Sequence, residues 1–308
     1  MDDKLKDKIN GSTIAVIPCY NEEATIGSIV LKVKNYVNKV VVIDDGSIDC
    51  TAKIAKAAGA HVILLNKNYG KSHAIKQGFK YALEKNYDYV ITLDGDGQHN
   101  ADEIPVLLKD LMNNGHDITL GFRSGKDTEM PSWRKIGKRI LDYATSFGNG
   151  GFVTDSQCGF RAFNKKAVTG LIYKINGNAF CVESEQLIRA HEMGLNINQV
   201  DISCKYKNLK KTSTKNSVSH GFSVLKYIIR LIAEKHPLLL ISVPGFILLL
   251  LGLFFGFNTL QYYNQEQIFL VPYALIGGIF LIIGVFTMLT GLMLTALPNI
   301  IRQVNTEL

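Results

Sequence analysis

The sequence predicts an α/β domain with a mostly parallel sheet, followed by an amphipathic helix and a hairpin of two transmembrane helices. Over about the first 120 residues, short β-branched runs alternate with helical stretches. Beyond residue 236 the chain has two long uncharged segments, and a basic stretch with apolar residues at helical spacing precedes them. With 308 residues, of which 47% are hydrophobic and 20% charged, the chain is not a disordered polypeptide.

The alternating part of the chain predicts a sheet covered by helices on both faces. Its strands are apolar throughout instead of alternating with polar residues, which is typical of buried parallel strands. The predicted strands are Thr13–Pro18, Lys39–Ile43, His61–Leu65, Tyr89–Leu93 and Asp117–Leu120. The predicted helices are Ala24–Tyr36, Thr51–Ala58, Ser72–Lys85 and Glu103–Asn113. Sheets of this kind bind ligands at the carboxyl ends of their strands.

Acidic and glycine-rich residues follow three of these strands. They occupy residues 18–22 after the first strand, 44–47 after the second and 94–99 after the fourth, so we expect them at one edge of the sheet. Asp94 and Asp96 are one residue apart, and such carboxylates repel each other unless a cation lies between them. Oxygen ligands suit Mg²⁺ or Mn²⁺, which makes this a candidate metal site. An acidic surface turn without a metal is the alternative.

Several function classes are disfavoured. The sequence has neither GxGxxG nor GxxxxGK[ST], which argues against a dinucleotide oxidoreductase and a P-loop NTPase. Its five cysteines include no CxxC pair, which argues against a zinc cluster or a disulfide framework. The first ten residues, MDDKLKDKIN, lack an apolar core, so no signal peptide is expected.

Two uncharged segments are long enough to cross a membrane. Leu238–Phe257 has 20 residues and Ile268–Leu297 has 30, whereas a spanning helix needs about 20. The only charged residue between positions 237 and 301 is Glu266, in the connecting segment Asn258–Gln267. Basic residues precede the first segment and Arg302 follows the second, so the positive-inside rule places both chain ends in the cytoplasm. Buried core helices are the alternative.

These features predict four parts of the chain. They are a cytoplasmic α/β domain (1–215), an amphipathic interfacial helix (216–236), two membrane spans within 237–301 (about 237–258 and 268–297) and a cytoplasmic tail (302–308). The alternative for the second part is a helix packed on the α/β domain. Small residues in the second span, such as Gly284 and Gly291, suit packing between helices or between subunits of a homo-oligomer.

Seven segments, in this order, resemble family 2 glycosyltransferases with the Rossmann-like GT-A fold, of the dolichol-phosphate sugar synthase type. The segments cover roughly residues 12–235 and are IPCYNEE (Ile17–Glu23), VVIDDGSIDCT (Val41–Thr51), NYGKSHAIKQGF (Asn68–Phe79), TLDGDGQH (Thr92–His99), GFRSG (Gly121–Gly125), DSQCGFRAF (Asp155–Phe163) and STKNSVSHG (Ser213–Gly221).

The resemblance implies inverting transfer of a sugar from a UDP- or GDP-linked donor to dolichyl or another polyprenyl phosphate. UDP-N-acetylglucosamine is the favoured donor, followed by GDP-mannose or UDP-glucose. The implied partners are this donor, the lipid phosphate and the bilayer, with no nucleic acid. A polysaccharide-elongating transferase is one alternative, and the sequence lacks its usual QxxRW motif. A non-catalytic membrane scaffold that retains the fold is the other.

The resemblance also implies the donor-side residues. Those expected to contact the nucleotide-sugar are Pro18, Tyr20, Glu22, Ile43, Asp45, Asp94, Gly95, Asp96, Gln98, Arg123, Lys211 and Lys215. Asp94, Asp96 and Gln98 are expected to hold Mg²⁺ or Mn²⁺ with the donor diphosphate, and Asp96 and Arg123 are the expected catalytic residues.

On the acceptor side the resemblance implies a basic set that binds the lipid phosphate, namely Arg123, Arg134, Lys138 and Arg139. A phosphate carries about −1.5 to −2 charges at neutral pH, so bringing it beside a diphosphate requires a metal at one group and basic side chains at the other. A surface that attracts anionic lipid is the alternative for this set. Glu183 and Glu185 open a predicted helix. Their carboxylates suit the positive end of the helix dipole, and the alternative is a functional role as contacts of sugar hydroxyls or as a base.

Overall fold

The computed structural model of the chain describes residues 12–122, 155–175, 182–203, 226 and 238–306, with side chains as far as Ala296. The chain divides into two compact units, Met1–Ile228 and Ile229–Leu308. The first is an α/β unit and the second contains two long apolar helices.

The α/β unit contains a mixed sheet of seven described strands in the order β3-β2-β1-β4-β6-β5-β7. Neighbouring strands run parallel except at β6, which is antiparallel to both β4 and β5. The strands are β1 (Thr13–Cys19), β2 (Lys39–Asp44), β3 (His61–Leu64), β4 (Tyr89–Thr92), β5 (Ile118–Phe122), β6 (Arg161–Asn164) and β7 (Ile197–Asp201). The predicted mostly parallel α/β sheet is thus confirmed.

Helices cover both faces of this sheet. They are α1 (Ile26–Val33), α2 (Thr51–Ala57), α3 (Lys71–Glu84), α4 (Ile104–Asn113), α5 (Lys165–Lys174) and α6 (Val182–Glu192). Successive residues of β1 point to opposite faces: Ala15 and Ile17 pack with α1, α2 and α4, while Ile14 and Val16 pack with α3, α5 and α6. This double burial explains why β1 is apolar at every position.

The strands β6 and β7 were not predicted. The charged Arg161 interrupts the apolar pattern of β6, which has only four residues, and β7 (INQVD) is a polar strand at the sheet edge. The five predicted strands are present, with ends that differ by one or two residues.

The second unit consists of a π-helical turn at Leu238–Ser242, then α7 (Val243–Glu266) and α8 (Val271–Thr306). Two helical stretches, Leu238–Glu266 and Val271–Ala296, are long and apolar enough to cross a membrane. Most of their apolar side chains point outward, while five glycines lie against the other helical stretch: Gly245, Gly252, Gly277, Gly284 and Gly291. A Cβ added at Gly284 would lie 2.6 Å from the backbone nitrogen of Leu249, so the two backbones are in close contact there.

The connection between these helices is shorter than the predicted segment Asn258–Gln267. The helix continues to Glu266 because residues 258–266 contain no glycine or proline, and Asn258 and Thr259 bond to carbonyls of the preceding turn. It ends at Gln267, which has a φ of 56°. Apart from Lys226, the predicted interfacial helix (216–236) lies outside the described residues, and the cytoplasmic orientation stays a prediction.

Candidate active site

The segments that follow β1 and β2 bind each other through side-chain to backbone hydrogen bonds. The backbone N–H of Asn21 donates to Ser47 Oγ at 2.9 Å, and Asn21 Oδ1 accepts from the N–H of Ile48 at 2.9 Å. The N–H of Glu22 donates to Thr51 Oγ1 at 2.8 Å. Asn21 has a φ of 57°, a conformation that asparagine tolerates better than most residues. These bonds fix one side of the strand-end edge and hold Glu22 on it.

Asp45, directly after β2, holds the loop that leads into α3. Its carboxylate oxygens accept from the backbone N–H groups of Tyr69, at 2.8 Å, and Gly70, at 2.7 Å. Gly70 has a φ of 96°, which favours glycine, and Lys71 then begins the helix. The buried Asp45 therefore lies on the predicted edge, and in this structure both of its oxygens position the start of α3.

Asp94 follows β4 and is held by an ammonium group. Lys71 Nζ lies 2.5 Å from Asp94 Oδ1 and 2.5 Å from Glu183 Oε1, and His99 Nε2 is 3.9 Å from Asp94 Oδ2. Burial alone would raise the pKa of Asp94, but Lys71 and His99 outweigh it and keep the pKa well below its usual range. Burial would lower the pKa of Lys71, and the two carboxylates instead raise it above its usual value.

Two further carboxylates crowd the same place. Burial and the charge of Asp94 raise the pKa of Asp96, whose Oδ1 accepts from the N–H of Gln98 at 3.0 Å. Burial and then the charge of Asp96 raise the pKa of Glu22 to about 7. Gly95 lies between the aspartates, and a Cβ there would come within 2.6 Å of Cys19 Sγ, so the turn has room only for glycine.

The chemistry of these groups fits a hard divalent cation. The side chains of Asp94, Asp96 and Gln98 offer oxygen atoms, and the repulsion that raises the pKa of Asp96 would be relieved by positive charge. Lys71 already lies between two carboxylates of this edge. No preformed cluster of three or more acidic, histidine or cysteine ligands occurs among the described residues. Mg²⁺ sites built from one or two carboxylates and completed by substrate phosphates need no such cluster.

The segment before β6 packs directly on Asp94. A Cβ at Gly159 would lie 2.6 Å from Asp94 Oδ1, and the carbonyl of Gly159 accepts from Thr92 Oγ1 at 2.9 Å. The buried guanidinium of Arg161 anchors this segment. It donates to the carbonyls of Ser156, Cys158 and Glu183 at 2.8 Å each and to Gln186 Oε1 at 2.9 Å. Burial lowers the pKa of Arg161. Residues 155–159, β6 and α6 are thereby joined behind the acidic edge.

The structure brings together the described members of the predicted set. Pro18, Tyr20, Glu22, Ile43, Asp45, Asp94, Gly95, Asp96 and Gln98 occupy the ends of β1, β2 and β4 or the residues that follow them. The side chain of Ile43 is fully buried in the apolar core, whereas Tyr20 is 39% exposed. The six basic residues assigned to the lipid phosphate and diphosphate lie outside the described residues and stay predictions: Arg123, Arg134, Lys138, Arg139, Lys211 and Lys215.

Sequence reasoning gave no role to Lys71, Gly159 or Arg161. Two of the three stand out in their local sequence, although their contacts do not. Lys71 follows a glycine at the start of a helix, and Arg161 is a charged residue inside an otherwise apolar run, GFRAF. Glu183 and Glu185 do lie in the first turn of a helix, as predicted, and Glu183 contacts Lys71.

Comparison with known proteins identifies the family. Residues 14–171 match the family described as glycosyl transferase family 2. The UDP-N-acetylglucosamine–dolichyl-phosphate N-acetylglucosaminyltransferase of Methanococcus voltae is 32% identical over 231 residues, which is 68% of this chain and 89% of that protein. The undecaprenyl-phosphate 4-deoxy-4-formamido-L-arabinose transferase of Pseudomonas fluorescens (strain SBW25) is 27% identical over 254 residues, 79% of this chain and 70% of that protein.

Among solved structures, glucosyl-3-phosphoglycerate synthase from Mycobacterium tuberculosis, in complex with Mn²⁺, UDP and phosphoglyceric acid, superposes with a TM-score of 0.58. The identity is 23%, and the match covers 75% of this chain and 81% of that chain, which shows a shared fold. The fold and the family match agree: the chain belongs to glycosyl transferase family 2 and is a glycosyltransferase.

Proposed function

We propose that this protein transfers a sugar from a nucleotide-sugar to a polyprenyl phosphate at a membrane. The observation that carries the proposal is the acidic strand-end edge with Asp94 and Asp96, in a chain that also has two helices able to cross a membrane. An acidic edge suited to a metal fits the diphosphate of a water-soluble donor, and helices able to cross a membrane fit a lipid acceptor. The names of the relatives from M. voltae and P. fluorescens, which specify a dolichyl and an undecaprenyl phosphate, support this acceptor class.

The reaction we propose is a single in-line displacement at the anomeric carbon of the sugar. An oxygen of the lipid phosphate forms the new bond to this carbon, and the bond to the nucleotide diphosphate breaks, which inverts the configuration. A phosphate is largely ionised at pH 7, so the protein need not supply a strong base. Catalysis then consists of positioning the two reactants and stabilising the charge of the leaving diphosphate.

The described residues supply the donor side of this reaction. Asp94, Asp96 and Gln98 would hold Mg²⁺ or Mn²⁺, which stabilises charge on the departing diphosphate when bound. The half-exposed ring of Tyr20 offers a stacking surface for the base. Asp45 contributes to the donor side by positioning the loop before α3. Glu22 contributes to it because its carboxylate lies near that of Asp96.

The acceptor side rests on residues outside the described ranges. We propose that Arg123, Arg134, Lys138 and Arg139 bind the lipid phosphate, and that Lys211 and Lys215 contribute to the diphosphate side. Arginine and lysine suit these anions because they carry several hydrogen-bond donors together with a positive charge. We further propose that the α/β unit and the C-terminal tail face the cytoplasm.

UDP-N-acetylglucosamine is the proposed donor, supported by the relative from M. voltae. GDP-mannose and UDP-glucose are the next candidates. The test is a panel of these donors with the purified full-length chain, a short polyprenyl phosphate and Mn²⁺ or Mg²⁺, analysed by mass spectrometry. We expect one donor to give a glycosyl-phosphoryl-polyprenol, and the matched polyprenol that lacks the phosphate to give no product.

Two results would overturn the proposal. Transfer to an oligosaccharide with none to polyprenyl phosphate would assign the protein to polysaccharide elongation. Failure to cleave any donor, with correctly folded protein and either metal, would favour a non-catalytic scaffold.

A further inference from the structure

Lys71 joins three separate elements at the acidic edge. It is the first residue of α3, Asp94 follows β4, and Glu183 lies in the first turn of α6. Its ammonium nitrogen is 2.5 Å from one carboxylate oxygen of each acidic residue. A single cation between two carboxylates fixes the direction of both, because each must turn an oxygen toward the same nitrogen.

Contacts with the preceding loop fix the position of Lys71. Asp45 binds the two backbone N–H groups that precede it, and the left-handed Gly70 turns the chain into α3. Gly159 packs close to the same carboxylate, since a Cβ there would be 2.6 Å from Asp94 Oδ1. Asp94 therefore lies against a backbone segment as well as an ammonium group.

The charge balance at this edge depends on the same residue. Asp94, Asp96, Glu22 and Glu183 are all acidic, and within the described ranges Lys71 is the one lysine or arginine that forms an ion pair with any of them. The group is partly shielded from water, because the exposed fraction of the side chain is 36% for Lys71, 26% for Asp94 and 9% for Glu183. Its electrostatic effect is therefore stronger than that of a surface pair.

We propose that Lys71 is a positioning residue of the transferase: its ammonium occupies Oδ1 of Asp94 and so determines how the aspartate pair presents its remaining oxygens to a divalent cation and the donor. The proposal rests on the function proposed above. It has two consequences of opposite sign. Lys71 competes with a metal ion for Asp94, which weakens metal binding, and it holds Asp94 in the productive orientation, which speeds turnover.

The test compares three variants of the full-length chain. Lys71→Met removes the charge and keeps much of the side-chain volume, Lys71→Arg keeps the charge, and Lys80→Met is the matched control. Lys80 lies on the same helix, is largely exposed, and pairs only loosely with Glu84, at 3.9 Å. The affinity for Mn²⁺ alone, without nucleotide, is measured by electron paramagnetic resonance, and kcat and the donor KM are measured with the active donor.

For Lys71→Met we expect Mn²⁺ to bind about tenfold more tightly, since a nearby positive charge is lost. We expect kcat to fall about a hundredfold because Asp94 is no longer held, with the donor KM within a few-fold of wild type. Lys71→Arg should keep the wild-type Mn²⁺ affinity and recover part of kcat. Lys80→Met should match wild type in Mn²⁺ affinity, kcat and donor KM. A residue that only stabilises the fold would not tighten metal binding.

Unchanged or weaker Mn²⁺ binding in Lys71→Met, an unchanged kcat, or a loss confined to KM would each overturn the proposal. If Lys71→Met does not fold, the Mn²⁺ affinity of Glu183→Gln tests the proposal instead. Its loss of a negative charge leaves the ammonium to Asp94 alone, so Mn²⁺ binding should weaken, and tighter or equal binding would count against the idea. A wild-type protein that makes no glycolipid would refute the proposed function. The Mn²⁺ affinities would still test whether Lys71 competes with the metal for Asp94, because they need neither donor nor acceptor.

Discussion

The α/β unit and the helical hairpin use the same residue types in opposite ways. In the α/β unit most of the large apolar side chains are buried, and glycines such as Gly95 and Gly159 adjoin the acidic edge, where a side chain would collide with Cys19 or Asp94. In the hairpin the large apolar side chains are exposed, with Phe286 at 68%, and glycines such as Gly284 lie between the helices. Glycine thus makes room for chemistry in one unit and for packing in the other.

The contrast follows from the surroundings that each unit requires. Water drives apolar side chains into the α/β core, where burial yields about 25 cal/mol for each Å². A hydrocarbon surrounding gives no such drive, so helices associate through close backbone contact at small residues. The exposed apolar surface of α7 and α8 is therefore the surface expected of helices surrounded by hydrocarbon. Four experiments test the two units separately, in decreasing order of the change predicted.

Asp96→Ala should reduce kcat on the order of a thousandfold, because the carboxylate expected to hold the metal and diphosphate is lost. The melting temperature should stay close to that of wild type, since Asp96 repels Asp94 and its pKa is raised. Kinetics and thermal unfolding of the purified protein check this, with the exposed Asp88→Ala as control. Wild-type turnover in Asp96→Ala would remove the metal assignment.

Gly159→Ala should lower kcat about a hundredfold, since a displacement of about 1 Å at a reacting group has an effect of this size. The added methyl would push against the Asp94 carboxylate, which lies 2.6 Å from the ideal Cβ position. Gly170→Ala on α5 is the matched control, because its Cβ would meet only the flexible end of Met193. Equal activity in the two variants would show that Asp94 can shift without consequence.

Gly284→Leu should destabilise the hairpin by about 2 kcal/mol, the usual size of an overpacking effect. Its side chain would enter the contact with Leu249, whereas Gly278→Leu points into open space and should have little effect. Thermal unfolding of both variants in the same detergent measures the difference. If Gly278→Leu proved the more damaging, α8 would have its other face toward a partner.

Acid should weaken the α/β unit through Asp110 and Asp117. Burial alone would raise the pKa of each, but hydrogen bonds from Thr119 to Asp110 and from Asn164 to Asp117 outweigh it and lower both. A lowered pKa stabilises the fold above the unfolded value of about 3.8, and that stability is lost as the pH falls through the folded pKa.

This effect should be the smallest of the four and confined to the α/β unit. The stretch between positions 237 and 301, which includes the two helices able to cross a membrane, contains only one charged residue, Glu266. Unfolding measured between pH 5 and pH 3 should show Asp117→Asn losing less stability than wild type over this interval. An equal loss in both proteins would assign the acid sensitivity to other carboxylates.

Local patterns were enough to predict much of this structure. The Val- and Ile-rich runs predicted β1 to β5, and the acidic pair after β4 indicated where the candidate site lies. β6 and β7 escaped prediction because pairing with distant neighbours, and not their own composition, makes them strands. For the same reason the contacts of Lys71 with Asp94 and Glu183, which join residues far apart in sequence, have no local signature.

The reversed direction of β6 has a consequence for how such an enzyme can diversify. β5 ends at Phe122, and β6 begins at Arg161, which pairs with Leu120 of β5 and Thr92 of β4. The chain thus leaves the sheet and rejoins it on the same side, beside the aspartates. An insertion, deletion or exchange between these two points interrupts none of the seven described strands. Under the proposed function, this interval contains Arg134, Lys138 and Arg139 of the acceptor set, so the exchange of one interval of sequence offers a route to new acceptors while Asp94, Asp96 and Gln98 stay in place.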